Sequence, residues 1–295
     1  MTPTRPIDIH QHLWPAALVD ALRRRSTPPR LDGWTLHLSG EPPYQVDPVD
    51  HDRHGRAKDP SRVVVGLSSP LGIEDLPPDE AQPLLDAWHE GAADLTEFDA
   101  WAAVARRKPD LTALAEHLRD GFVGLQIPAT ALAGPTRLDG LGDLLEVVQN
   151  ADRPVFVHPG PVPPAEDERP DWWAAVVDYP TQLQAAWWSW HAAGRRLFPR
   201  LRICFAAGAG LAPAHHERYQ ARAGRSVTVD PNTFVETSSY SRQGVDALSR
   251  ALGVDPIVVG SDRPYGVRHD TDLGEAARVA FTLTNPHRLL TGERP

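Results

Sequence analysis

The sequence predicts an α/β fold of eight parallel strands, each followed by a helix. Three observations carry this. Short runs rich in Val, Ile and Phe recur along the whole chain, most of them precede a stretch of helical periodicity, and 30 prolines and 22 glycines are spread between the runs instead of gathered in one linker. Strands without polar alternation belong to a parallel sheet buried on both faces.

The first strand is expected at 7–10, before a helix over 16–25. Strand 62–68 precedes helix 79–93, and strand 98–104 precedes helix 111–119, although its alanines would suit a helix too. Strand 122–127 leads to helix 138–149, 155–158 to 179–193, and 202–206 to 214–223. The last two pairs are 234–237 with 243–252 and 257–261 with 272–283. Eight such units close into a (β/α)8 TIM barrel. No G-x-G-x-x-G follows the first strand, which counts against a doubly wound open sheet. Segment 34–47 fits no strand–helix unit and reads as a small hairpin inserted after the first one. With no repeat and no internal boundary, residues 1–295 read as one domain.

Composition narrows the function. The 295 residues are 41% hydrophobic and 23% charged, which is ordinary for a folded globular chain. The formal charge is −9, and the longest basic cluster, Arg23-Arg24-Arg25, lies in a helical stretch, so nucleic acid is not an expected partner. The single cysteine, Cys204, sits in a strand and suits a reducing compartment. The first six residues lack the apolar stretch of a leader, and no window of 18 apolar residues occurs, so a cytoplasmic chain without membrane contact is expected.

In a parallel barrel, chemistry gathers at the C-terminal ends of the strands. The first strand ends in Asp8-Ile9-His10-Gln11-His12. Residues two apart on a strand project the same way, so His10 and His12 can share one ion. His158 ends the fifth strand before Pro159-Gly160, and Asp262 follows the eighth. Three imidazoles and a carboxylate at one rim suit Zn²⁺ or Mn²⁺, with a coordination position left for water.

These motifs are similar to those of the amidohydrolase superfamily. Ile-Asp-Ile-His-Gln-His, Val-His-Pro-Gly, Val-Gly-Ser-Asp-Arg-Pro-Tyr-Gly and the closing Asn285-Pro286-His287-Arg288-Leu289 resemble its amidohydrolase-related branch. That branch includes aminocarboxymuconate-semialdehyde decarboxylase, hydroxybenzoate-type decarboxylases and several lactonases. The resemblance implies one divalent ion, Zn²⁺ first and Mn²⁺ second, held by His10, His12 and His158. It makes Asp262 a ligand of the ion or of its water, and it implies a homodimer. Arg218 falls where many of the decarboxylases carry an arginine near the substrate.

One position departs from the branch's pattern. Ala207 stands where Ala-His-Gly-Gly-Gly would place a histidine after the sixth strand. Three expectations stay open: Asp262 acts as the sole general base, His215 or His216 substitutes, or the protein binds its ligand without the usual chemistry. Gln126, at the end of the fourth strand, stands where binuclear relatives have a carboxylated lysine or a glutamate, which implies one ion. Trp14, Trp172, Trp173, Tyr240, Arg263 and Tyr265 are candidates to line a substrate pocket. Trp187 and Trp190, three apart, are expected to pack a helix on the barrel. The expected reaction is hydrolysis of a small ester, lactone or amide, with Asp262 taking a proton from water. Decarboxylation of an aromatic or unsaturated acid is the alternative.

Overall fold

A computed structural model describes residues 5–164, 166–268 and 272–293. Most of the stretch read for a leader lies outside them. Strand β1 (Ile7–Gln11) is followed by a small antiparallel sheet of β2 (Arg30–Asp32), β3 (Thr35–His37) and β4 (Tyr44–Gln45). The barrel then continues through β5 (Arg62–Val65), β6 (Asp99–Ala102), β7 (Gly124–Pro128), β8 (Val155–His158), β9 (Ile203–Phe205), β10 (Thr233–Glu236) and β11 (Ile257–Val258). These eight strands pair in parallel in the order β1-β5-β6-β7-β8-β9-β10-β11. Backbone beyond β11 returns to β1. Ile9 donates to the Val259 carbonyl at 3.1 Å, Asp262 to that of His10 at 2.8 Å, and His12 to that of Arg263 at 2.6 Å. The eight strands and their surrounding helices form the expected (β/α)8 TIM barrel.

The inserted hairpin is one half of a larger element. Its strands β3 and β4 pair, but β2 adds a third strand on the other edge of β3. Only three residues long and without an apolar run, β2 carries little strand pattern of its own.

Strands bury both faces, and every residue of β7, β8, β9 and β10 is buried. The Ala-rich 98–104 is a strand because of what it packs against. Trp101 is fully buried and donates its indole N–H to the Ile9 carbonyl at 3.0 Å, so tertiary contact overrides alanine's helical preference. Helices dock by single faces. Leu114 and Leu118 are the buried residues of Leu111–Arg119, where the Asp110 side chain caps the Ala113 N–H. Val245, Leu248 and Leu252 form the buried face of Arg242–Leu252. The helix expected at 179–193 runs from Tyr179 to Ser189 and continues as a π turn, Trp190–Gly194. Among the described residues, no helix is long and apolar enough to cross a membrane.

Candidate metal centre

His10 and His12 come from β1 and the residue just past it, His158 ends β8, and Asp262 follows β11. One ligand atom from each lies within 4.8 Å of all the others. The Nε2 atoms of His10 and His12 are 3.1 Å apart, and those of His12 and His158 are 3.2 Å apart. Asp262 Oδ1 stands 3.1 Å from His12 Nε2 and 3.3 Å from His10 Nε2. Tetrahedral ligands about 2.0–2.1 Å from one ion stand about 3.3 Å from one another.

The opposite ring nitrogens decide what those four atoms can do. His10 Nδ1 meets Glu236 Oε1 at 3.0 Å, His12 Nδ1 the Gly66 carbonyl at 3.0 Å, and His158 Nδ1 the Pro159 carbonyl at 2.9 Å. Carbonyl oxygens only accept, so Nδ1 of His12 and His158 carries the hydrogen and each Nε2 turns a lone pair inward. Asp262 Oδ1 is buried without a hydrogen-bond partner. Converging acceptors with an orphaned oxygen among them fit a cation. Burial lowers the pKa of His12 and, strongly, of His158, as neutral ligands require. Burial acts on His10 the same way, but the charges of Asp262 and Glu236 outweigh it and raise its pKa. Burial would also raise Asp262, yet the three histidines hold it down at about 2.

Glu236, which the sequence pattern does not single out, stands directly behind His10. It is fully buried, and its Oε1 also accepts from Ser238 Oγ and from the Ala207 amide, both at 2.5 Å. Its Oε2 accepts from Ser238 N at 2.6 Å. Its position at the C-terminal end of a barrel strand was the available signal, four residues before the candidate Tyr240. Asp8 plays a similar part at β1, accepting from His10 N, Gln11 Nε2 and Ser261 N.

Ala207 opens an unusual turn. Ala207, Gly208, Ala209, Gly210 and Leu211 all have φ between 42° and 60°. For the three non-glycine residues this left-handed conformation costs about 1–2 kcal/mol each. The turn delivers the Ala207 amide to Glu236, while the Ala207 methyl offers no imidazole where the resemblance expects one. His216 does not fill that position. Its ring packs against Trp187 and Trp188 at 6.1 and 5.9 Å, and His215 is exposed.

The other candidates divide. Tyr265 stands over His12, with ring centroids 5.6 Å apart. Trp14 is buried, stacks on His51 at 4.5 Å and donates to Ser68 Oγ at 3.0 Å. The Tyr240 ring lies over Gly208, beside the left-handed turn. Trp172 and Trp173 pack together beyond β8, the first of them 55% exposed. Arg263 turns to Asp59 at 3.3 Å, and Arg218 is exposed on the helix His216–Ala223. Gln126 bonds the Leu67 carbonyl and Ser69 Oγ. Tyr179 and Glu41, unremarked in the sequence, join at 2.8 Å, and Asp262's charge reaches the Tyr179 hydroxyl.

The amidohydrolase family profile matches residues 7–290. No curated protein matches the chain. Among solved structures, the chain is similar to the apo form of IDCase from Metarhizium anisopliae, at 18% identity, covering 93% of this chain and 89% of that one, with a TM-score of 0.71. It is similar to 5-carboxyvanillate decarboxylase from Novosphingobium aromaticivorans, bound to manganese and 3-methoxy-4-hydroxy-5-nitrobenzoic acid, at 16% identity, 97% coverage of each chain and a TM-score of 0.70. It is also similar to 2,6-dihydroxybenzoate decarboxylase from Rhizobium, at 19% identity, covering 98% and 99%, with a TM-score of 0.65. The profile spans the whole barrel and all four converging side chains: the chain belongs to the amidohydrolase family of enzymes.

Proposed function

We propose that this enzyme is a mononuclear metal-dependent decarboxylase of a small aromatic or unsaturated carboxylic acid. The carrying observation is the inward-facing set of His10, His12, His158 and Asp262, with every histidine pinned from behind. A divalent ion held there supplies the positive charge that a substrate carboxylate or phenolate needs. The nearby arginines support that assignment, because Arg263 faces Asp59 and Arg56 is engaged with the His12 and Asp50 carbonyls. Asp262 is assigned the proton transfer. Ionised in the free site, Asp262 takes a proton from the acidic O–H of the substrate as it binds and returns it to the substrate carbon, whose electron pair it takes up as the bond to the carboxylate breaks and carbon dioxide leaves. Tyr265, Trp14 and the Glu41–Tyr179 pair are assigned to the pocket walls, with Trp172, Trp173 and Tyr240 further out.

The decarboxylases among the structural neighbours favour this reading over hydrolysis. Hydrolysis of an ester, lactone or amide needs a base for the water and an acid for the leaving group, and Asp262 would have to serve as both. Zinc or manganese as the ion, one domain over residues 1–295, a homodimer with Arg218 near its interface, and a cytoplasmic location complete the proposal. The test is release of carbon dioxide from a panel of hydroxybenzoates and unsaturated acids by protein loaded with Zn²⁺ or Mn²⁺, beside an ester and lactone panel. Carbon dioxide release that Asp262→Asn abolishes supports the reading. Turnover of esters or lactones alone would replace it with hydrolysis.

A further inference from the structure

One buried loop supports both a metal-facing histidine and a tryptophan beside it. Residues 66–69 follow β5, and all four are buried. The Gly66 carbonyl meets His12 Nδ1 at 3.0 Å, and the Gly66 amide donates to the Gln11 carbonyl at 2.8 Å. Ser68 Oγ accepts the Trp14 indole N–H at 3.0 Å. A shift of this loop therefore releases His12 and Trp14 together.

The ladder between β5 and β6 ends at Val65, so beyond it side chains tie the loop to that side of the barrel. Gln126, buried in β7, reaches past β6 to do so. Its Nε2 donates to the Leu67 carbonyl and, at 2.8 Å, to Ser69 Oγ, which uses both of its hydrogens. Its Oε1 accepts no hydrogen bond and abuts Gly66, where an added Cβ would collide with it. Ser69 Oγ passes its own hydrogen to Glu74 Oε1. Glu74 is buried as well, and its carbonyl accepts from the Arg106 amide at 2.8 Å, beyond β6. Donors and acceptors thus run one way, from Gln126 through Ser69 to Glu74.

The Gly66 carbonyl has a competitor for the His12 hydrogen. Asp262 Oδ1 stands 3.1 Å from the opposite nitrogen, Nε2, and would accept a hydrogen placed there. A hydrogen on Nε2 removes the lone pair that a cation needs.

We propose that Gln126, Ser69 and Glu74 are positioning residues for His12: they lock loop 66–69 so that the Gly66 carbonyl keeps the hydrogen on Nδ1 and the Nε2 lone pair facing inward. The role matters through the metal centre proposed above, but its first test needs no metal.

In the metal-free full chain labelled with ¹⁵N-histidine, long-range ¹H–¹⁵N NMR reads which nitrogen of His12 carries hydrogen. His158, held by the Pro159 carbonyl instead, is the internal reference. Gln126→Leu keeps the bulk and removes both donors, and Ser69→Ala breaks the chain one step later. Each should move His12 toward the Nε2–H tautomer and leave His158 unchanged. Zn²⁺ affinity, read by chelator competition, should fall about tenfold in each. Glu74→Leu should fall likewise, whereas Glu74→Gln, which still accepts from Ser69, should stay within about twofold of the unaltered chain. Gln126→Glu also loses the donors, so its affinity should fall with no second ion taken up.

The proposal is overturned if His12 keeps its tautomer in both Gln126→Leu and Ser69→Ala, or if His158 changes as much as His12, which would mean general loosening. A second ion in Gln126→Glu would equally overturn it, by making Gln126 a ligand position. If His12 responds as expected while the unaltered chain binds no Zn²⁺, the metal reading fails and the positioning role stands.

Discussion

His10 Nδ1 stands 3.0 Å from Glu236 Oε1, and this contact ties the first strand of the barrel to the seventh. The same oxygen takes the Ala207 amide, so one buried side chain orients His10 and anchors the strained turn after the sixth strand. Partners behind metal-binding histidines fix ring orientation and tautomer, and their loss lowers metal affinity.

Glu236→Gln should therefore weaken Zn²⁺ or Mn²⁺ binding about 10–100-fold while the barrel stays folded. Competition against a chromogenic chelator measures it. Unchanged affinity would remove Glu236 from the account.

Gly260 tests the same packing from another side. A Cβ there would lie 2.3 Å from Glu236 Oε2 and 2.8 Å from His10 Cβ. Gly260→Ala should displace both residues and cost metal affinity at least as much as Glu236→Gln. A metal titration that matches the unaltered protein would contradict this.

Asp262 has φ of 57°, a conformation that Asp and Asn both tolerate. Asp262→Asn should keep the fold and most of the metal, and lower turnover by about 10²–10⁴-fold. Turnover within a factor of two of the unaltered enzyme would end its role in proton transfer.

How much of this was legible in the sequence follows from what each residue contacts. His10, His12, His158 and Asp262 could be read because strand ends and residue types point to one rim. All eight barrel strands could be read from apolar runs, even the Ala-rich one that contains Trp101. Glu236 was missed because its importance lies in contacts with residues 29 and 226 positions away, Ala207 and His10. Strand β2 was missed because three residues carry no period. The left-handed turn at Ala207 was illegible, since Ala and Leu there ordinarily argue against positive φ.

Glu74 gives the stability a pH dependence. Burial raises its carboxyl to about 7 although Ser69 Oγ bonds it, with Asp75 adding repulsion and Arg106 partly offsetting it. Below about pH 4.5 the group is protonated in folded and unfolded chains alike and costs nothing. As pH rises from about 4.5 to 7 the unfolded chain releases this proton while the folded chain keeps it, so stability falls, by about 3 kcal/mol once the loss is complete above 7. Thermal melts of Glu74→Gln between pH 5 and 8 should have a flatter slope than those of the unaltered chain. Parallel slopes would show that Glu74 titrates normally.

The most direct test of the account is elemental analysis of protein purified without chelator, beside the His10→Ala/His12→Ala variant. The geometry predicts about one Zn or Mn per chain, lost in the variant. No stoichiometric metal in the unaltered chain, even after Zn²⁺ or Mn²⁺ is added, would contradict it and leave the four converging side chains without a cation to hold.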